Sequence, residues 1–270
     1  MKKFIPLFIL SSALIFAGCN KKGNAENSSV SSKSNETAVL SDAGKKATSK
    51  IVASTSWTAA FADLAGLDNV QAIAPASLRH PPEYEVTVSD IQNISDSDIF
   101  IFAGFERMMK TLGTSIEGVN MVKISCDNSI ETVTSQAKKI AEITGTQKES
   151  EKRVAEYVSA VLEGRNRVVN EGLAGASVYC NVNQIYLAKD LGFEISATFG
   201  PGPVTSEQIA VAKEQGFAFI IDNIHNPTGA PLAEVSDAEY IIWRNFPEKV
   251  EHNALKNVIQ ENIEAVFTRG

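Results

Sequence analysis

The sequence predicts an α/β fold of two lobes with mostly parallel sheets, joined by one long rigid helix, with a ligand cleft between the lobes. Three observations lead there. From Ile51 onward, short apolar runs alternate with helical patterns, which is how βα units read in a sequence. One amphipathic stretch, from Lys148 to Glu171, is longer than a βα crossover needs. A second βα series follows that stretch.

In the first series, Ile51-Val-Ala-Ser54 reads as a buried strand and Thr58 to Ala65 as a helix. Asn69 to Ile73 is a short strand, and Ala74 to Val86 a Pro-rich loop. Ser89 opens a short helix, Asp98-Ile-Phe-Ile-Phe102 is a third strand ending at Ala103-Gly104, and Val119 to Ile124 is a fourth. The long segment then carries Val154, Tyr157, Val158, Val161, Leu162, Val168 and Val169 at helical spacing. At 1.5 Å per residue it reaches roughly 30 Å or more.

In the second series, Ser177 to Cys180 is a strand, Gln184 to Leu191 a helix closed by Gly192, and Phe193 to Ala197 a strand. Ser206 to Gln215 is a helix closed by Gly216, and Ala218 to Asp222 a strand. Tyr240 to Trp243 is the last strand, and Ala254 to Phe267 a helix with Leu255, Val258, Ile259, Ile263 and Val266 on one side. The expected boundaries are a first lobe at 51–146, a connecting helix at 147–173 and a second lobe at 174–270.

The start of the chain has a different character. Met1-Lys2-Lys3, an apolar run from Phe4 to Phe16 and Ala17-Gly18 precede Cys19. A basic start, a short apolar core and small residues before a cysteine read as an export signal of the lipoprotein type over residues 1–19, with Cys19 as the acylated residue. A plain secretion signal with an incidental cysteine is the alternative. Residues 20–50 are Ser, Asn, Lys, Gly, Ala and Thr with almost nothing to bury, and read as a flexible tether. The expected location is extracytoplasmic, on a bacterial membrane through the lipid. The formal net charge of −7, with no basic run beyond signal and tether, argues against nucleic acid as a partner.

In open parallel sheets ligands bind beyond the carboxyl ends of the strands. The first lobe places His80, Glu83, Tyr84 and Glu85 in the Pro-rich loop, Glu106 after its third strand and Cys126-Asp127 after its fourth. The second places Cys180-Asn181, Thr198 to Pro203, Asp222-Asn223 and His225. His, Cys and carboxylate groups are common metal ligands. The competing uses are plain ones. His80 and His225 would be loop residues, Cys126 and Cys180 small buried residues or a disulfide, and Asp222 a structural hydrogen-bond acceptor. Trp57 and Trp243 would pack in the core rather than line a cleft around an organic ligand. Gly200-Pro-Gly-Pro203 lacks the Lys-Ser/Thr of a phosphate loop.

Several of these segments together resemble the cluster A-I, zinc/manganese-type substrate-binding lipoproteins of ABC importers. The matching residues are Ile51 to Thr55, Pro81-Pro-Glu-Tyr-Glu-Val-Thr87, Ser97 to Gly104 with Glu106, and Val178 to Gly192 with Asn181 and Tyr186-Leu-Ala188. A weaker match runs from Thr205 to Asp222. The resemblance implies a monomeric binding protein, not an enzyme. It would carry a divalent transition metal, zinc or manganese, to a membrane permease.

This chain departs from the family at the ligands. Pro82 stands at the first family histidine, Cys126-Asp127 lies near the missing second, Asn181 takes the third, and Asp222 or Asn223 the acidic fourth. The rebuilt set would be His80, Cys126, Cys180, Asn181, Asp222 and His225. The alternative keeps the scaffold and changes the cargo to a metal chelate or small organic compound, as in siderophore or cobalamin carriers. A redox enzyme using Cys126 and Cys180 is a third class, but neither Cys-x-x-Cys nor an assignable Ser/His/Asp set supports it.

Overall fold

In the computed structural model the described residues are 49–113 and 116–268. Cys19, the export signal and nearly all of the tether lie outside them. Strands β1 (Ile51–Ala53), β2 (Gln71–Ala72), β3 (Ile99–Phe102) and β4 (Asn120–Lys123) form one sheet in the order β2-β1-β3-β4. Strands β5 (Ser177–Asn181), β6 (Glu194–Phe199), β7 (Phe219–Asn223) and β8 (Glu239–Trp243) form a second, in the order β6-β5-β7-β8. Every strand pairing in both sheets is parallel. The two lobes therefore have one topology used twice, and both belong to a single compact unit, Ala47–Gly270.

Strand alternation assigns the layers. In the first sheet Ile51, Ala53, Ile99, Ile101 and Val122 face inward, toward helices α1 (Ser56–Leu64), α4 (Ile130–Thr144) and α5 (Gln147–Asn170). Val52 and Phe100 face outward, against Ile94 of α2 (Val88–Ser95) and Met108 and Leu112 of α3 (Met108–Leu112). In the second sheet Val178, Cys180, Phe219, Ile221, Ile241 and Trp243 face inward, toward α5, α6 (Ile185–Asp190) and α9 (Ala254–Phe267). Tyr179 and Ile220 face outward, with Ala212 of α7 (Ser206–Glu214) and Leu232 of α8 (Ala230–Ala233). The inward faces of both sheets share one continuous apolar cluster, and α5 contributes Tyr157, Val161 and Val168 to it.

Local signals explain where the helices begin. Thr55, Thr87 and Thr205 cap α1, α2 and α7 in capping boxes with Thr58, Asp90 and Gln208. Ser129 caps α4, and Gly145 closes it in the left-handed region. Helices α3, α4 and α8 were not anticipated. The signal for α4 was present in Val133, Ala137, Ile140 and Ala141, four apolar residues at helical spacing inside a polar segment. The turn between α1 and β2 depends on Gly66. Its φ is +86°, and a Cβ there would lie 2.9 Å from Cβ of Glu149 and 3.0 Å from the Ser150 nitrogen.

One charged cluster joins both lobes to α5. Asp63 of α1 accepts from Arg153 Nη1 of α5 at 2.7 Å. It also accepts from the backbone N–H of Asn253 at 3.0 Å, and its Oδ1 lies 2.8 Å from Nδ1 of His252. Arg153 is 7% exposed at its side chain and also reaches Asp68 at 2.8 Å and Glu149 at 3.1 Å. Its Nη1 further donates to the carbonyls of Asp63 and Leu67, at 3.1 and 3.3 Å, which closes the end of α1.

Removing one partner of a buried ion pair leaves the other charge uncompensated, at about 3–5 kcal/mol. Arg153→Leu is accordingly expected to lower unfolding stability by about 3 kcal/mol in urea titration. The double variant Asp63→Asn with Arg153→Leu should cost less than the sum of the two single changes, because the two groups act as one unit.

Candidate functional site

In each sheet the strand order reverses beside the first strand, between β1 and β3 and between β5 and β7. Ligand crevices form outside the carboxyl ends at such points. The segments leaving these strands do line one cavity of about 730 Å³ between the lobes. From the first lobe come Trp57, His80, Glu83, Phe105, Cys126 and Asp127. The second lobe brings Asn183, Tyr186, Asn223, His225, Asn245 and Phe246.

Asn128 holds the floor. Its side-chain oxygen accepts from Trp57 Nε1 at 3.2 Å, its amide nitrogen donates to the Asn245 carbonyl at 3.0 Å, and its own carbonyl accepts from Tyr157 Oη at 2.9 Å. One buried amide thus ties α1, α5 and the second lobe together. Asp127 accepts from the Ser129 N–H at 2.9 Å and from the Ser129 and Thr132 hydroxyls at 2.6 and 2.8 Å, which anchors the start of α4 while leaving a charge at the cavity edge.

His225 is 6% exposed, and its ring stacks on Phe246 with centroids 3.5 Å apart. Burial, helped by the Arg244 charge and by His80, lowers its pKa to about 4, against opposing contributions from the Arg79 backbone and Glu248. The ring is therefore neutral at physiological pH, and its Nε2 is buried without a hydrogen-bond partner.

The six expected metal ligands separate into two groups. His80, Cys126 and His225 line the cavity. Cys180, Asn181 and Asp222 do not, and strand geometry explains why. Cys180 points inward and is fully buried among the core residues of β5 and β7. Asn181 and Asp222 are both fully buried and bonded to each other, Asn181 Nδ2 to Asp222 Oδ1 at 3.0 Å. Asp222 also accepts from the Asn223 N–H at 2.7 Å, the Gly229 N–H at 2.6 Å and Tyr240 Oη at 2.8 Å. Four donors leave this carboxylate no free lone-pair direction toward the cleft. It is a structural acceptor that holds the loops after β7.

Glu106 has the matching position in the first lobe. It is 1% exposed and accepts from the Ala103 N–H at 2.8 Å and from Ser54 Oγ.

Cys126 and Cys180 are unpaired. Burial pushes both thiols up, reinforced by Glu106 and Asp127 at Cys126 and by Asp222 at Cys180. Neither is an activated nucleophile. Among the described residues no group of three His, Cys, Asp or Glu side chains is placed to hold a metal ion. Sequence reasoning put both tryptophans in the core. Trp243 is there, and Trp57, partly buried, packs against the core while also lining the cleft. Phe105, Asn128 and Phe246 were missed, although each follows a strand end, the position topology marks.

No protein-family model and no curated protein matches the sequence. Solved structures do match. The laminin-binding protein Lmb of Streptococcus agalactiae, described as an adhesin with metal-transporting activity, aligns with TM-score 0.63 at 16% identity over 81% of this chain and 98% of its own. FpvC from Pseudomonas aeruginosa, a binding protein solved with Mn2+, aligns with TM-score 0.61 at 15% identity, over 81% and 97%. The Mn-bound periplasmic metal-binding protein from Candidatus Liberibacter asiaticus aligns with TM-score 0.58 at 14% identity, over 80% and 97%. What they share with this chain is the fold. Two α/β lobes on one long helix, expected from the sequence, is the architecture they have.

Two outcomes follow from the site. His225 binds its proton more weakly folded than unfolded, so the unfolded chain takes up more protons between pH 6.5 and about 4. Its contribution is complete above pH 6.5 and falls away as pH drops toward 4, by up to about 3 kcal/mol. In His225→Phe, urea titrations across this window should show a shallower loss. Thiol labelling followed by peptide mapping should find Cys126 slow to react, and Cys180 reactive only on unfolding.

Proposed function

We propose that this chain is the solute-binding component of an ABC importer, held outside the cytoplasm by lipid on Cys19. It would hand a transition-metal cargo, zinc or manganese, to a membrane permease. The observation that carries the reading is the cavity between two lobes of identical topology, in a fold whose solved relatives include metal-binding proteins. Cargo would be contacted from both walls, by His80 and Cys126 on one side and His225 on the other; because no three such groups among the described residues converge as the walls now stand, gripping a bare ion would require the walls to close further. The neutral imidazole of His225 suits a ligand to metal or a hydrogen-bond partner. Docking on the permease would separate the walls.

A second reading is favoured by the lining itself. A cavity of about 730 Å³ is in the size range of organic-ligand sites, and its walls are largely aromatic and amide side chains. On this reading the cargo is a metal chelate or a small organic compound.

Thermal unfolding of the metal-stripped protein with Zn2+, Mn2+, Fe2+, Cu2+ and Ni2+ separates the two. Binding at 100 times Kd stabilises the folded form by about 2.7 kcal/mol. A rise in Tm with one of these metals, reduced in His80→Ala and His225→Phe, supports the bare ion. No rise with any of them, together with an organic species co-purifying in native mass spectrometry, supports the chelate or organic cargo. The anchor is tested separately. Radiolabelled palmitate should enter the wild-type chain in a bacterial host, and Cys19→Ala should abolish the labelling.

A further inference from the structure

An aromatic run crosses the cavity from wall to wall. Phe105 and Trp57 of the first lobe have ring centroids 6.5 Å apart, and Trp57 lies 5.9 Å from Phe246 of the second lobe. Phe246 in turn stacks on His225 at 3.5 Å. Phe105 is 56% exposed, so a large apolar face at the cleft mouth has no protein partner.

The carboxylates of Glu83 and Asp127, and no Lys or Arg, are the charged side chains that line the cavity among the described residues. Arg244, the basic side chain that acts on His225, is itself bonded to Glu248 at 2.6 Å. Asn245 adds a buried side-chain oxygen with no hydrogen-bond partner, an acceptor placed in the same wall. Aromatic faces are the negative side of the ring quadrupole and attract cations, most strongly at Trp. Carboxylates and a free acceptor act in the same direction. An anion would meet no Lys or Arg among the described lining residues.

We infer that the cleft selects a cation bearing apolar surface, seated against Trp57 and Phe105 with Glu83 and Asp127 beside it. The inference rests on the reading that the chain binds a solute in this cleft, and it specifies that solute's chemistry. Two sources share that chemistry, an alkylammonium or aromatic ammonium compound and a cationic complex of a metal with an organic chelator. A bare ion lacks the apolar surface that the aromatic run would cover.

Calorimetric titration of the full chain tests this with choline, tetraethylammonium, N-methylpyridinium and the 2,2′-bipyridine complex of Ni2+. Choline's neutral isostere, 3,3-dimethylbutan-1-ol, and free Ni2+, Zn2+ and Mn2+ serve as controls. At least one of the cations is expected to bind at least tenfold more tightly than the controls, with choline preferred over its isostere if choline is the binder. Phe105→Ala, at an exposed position that leaves the fold intact, should weaken that binding at least threefold. Trp57→Phe should retain more of it than Trp57→Leu. Binding by the ammonium compounds identifies the first source, and binding by the bipyridine complex alone identifies the second. Either result supports the inference. Measurable binding of choline and of its isostere with equal affinity, or binding of a free metal with no response to any apolar cation, overturns the inference and leaves the solute-binding reading standing. Silence from every compound and every metal overturns the inference and, with it, the bare-ion reading of the cargo.

Discussion

The placement of the two lobes depends on one carboxylate. Asp63 sits at the end of α1 and meets Arg153 of the connecting helix and the His252-Asn253 corner of the second lobe. A carboxylate held this far from water is costly unless its lone pairs are filled. Here they are filled by three groups from two segments distant in sequence, and moving either segment strips the other of a partner. Lys256 to Glu156, at 3.1 Å, repeats the link between α9 and α5 nearer the surface. The helix joining the lobes is thus a brace clamped along its length.

Against that brace the cleft is assembled from loops, and each lobe stiffens its loops in the same way. Glu106 and Asp222 are buried carboxylates beyond or at the ends of the third strands of the two sheets, both satisfied by backbone N–H groups and a hydroxyl. Their charge is absorbed by local dipoles, so it is not offered to a ligand. The side chains that do face the gap are set beyond these anchors, and most are rings or amides. The two lobes also touch through polar contacts on the cleft floor, Asn128 to Asn245 and the Ile130 N–H to Asp190 at 2.7 Å. This gives the walls a defined separation.

Much of this could be read from residues alone, and the failures have physical causes. The central strands are apolar on both faces because helices cover both faces, so they stand out as unbroken runs such as Ile99 to Phe102. Helix α4 did not stand out, since its buried stripe is narrow and made partly of alanine. At the site, position after a strand was legible, and direction was not. His80, Cys126 and His225 line the cavity because they lie in segments leaving a sheet. Cys180 and Asp222 were set beside them although they belong to the strands, where the pleat turns one into the core and the other toward Gly229 and Tyr240. Asn128 carries no motif, and its importance appears only when Trp57, Tyr157 and Asn245 converge on it.

The apolar cluster shared by both sheets has a consequence for engineering. The cluster runs on from one sheet to the other through α5, so each half, cut out alone, would expose the apolar surface it now shares and be prone to aggregate. The halves are not exchangeable modules, despite their common strand order. New ligand preferences are therefore best engineered in the rim segments that line the cavity, with the shared interior left intact.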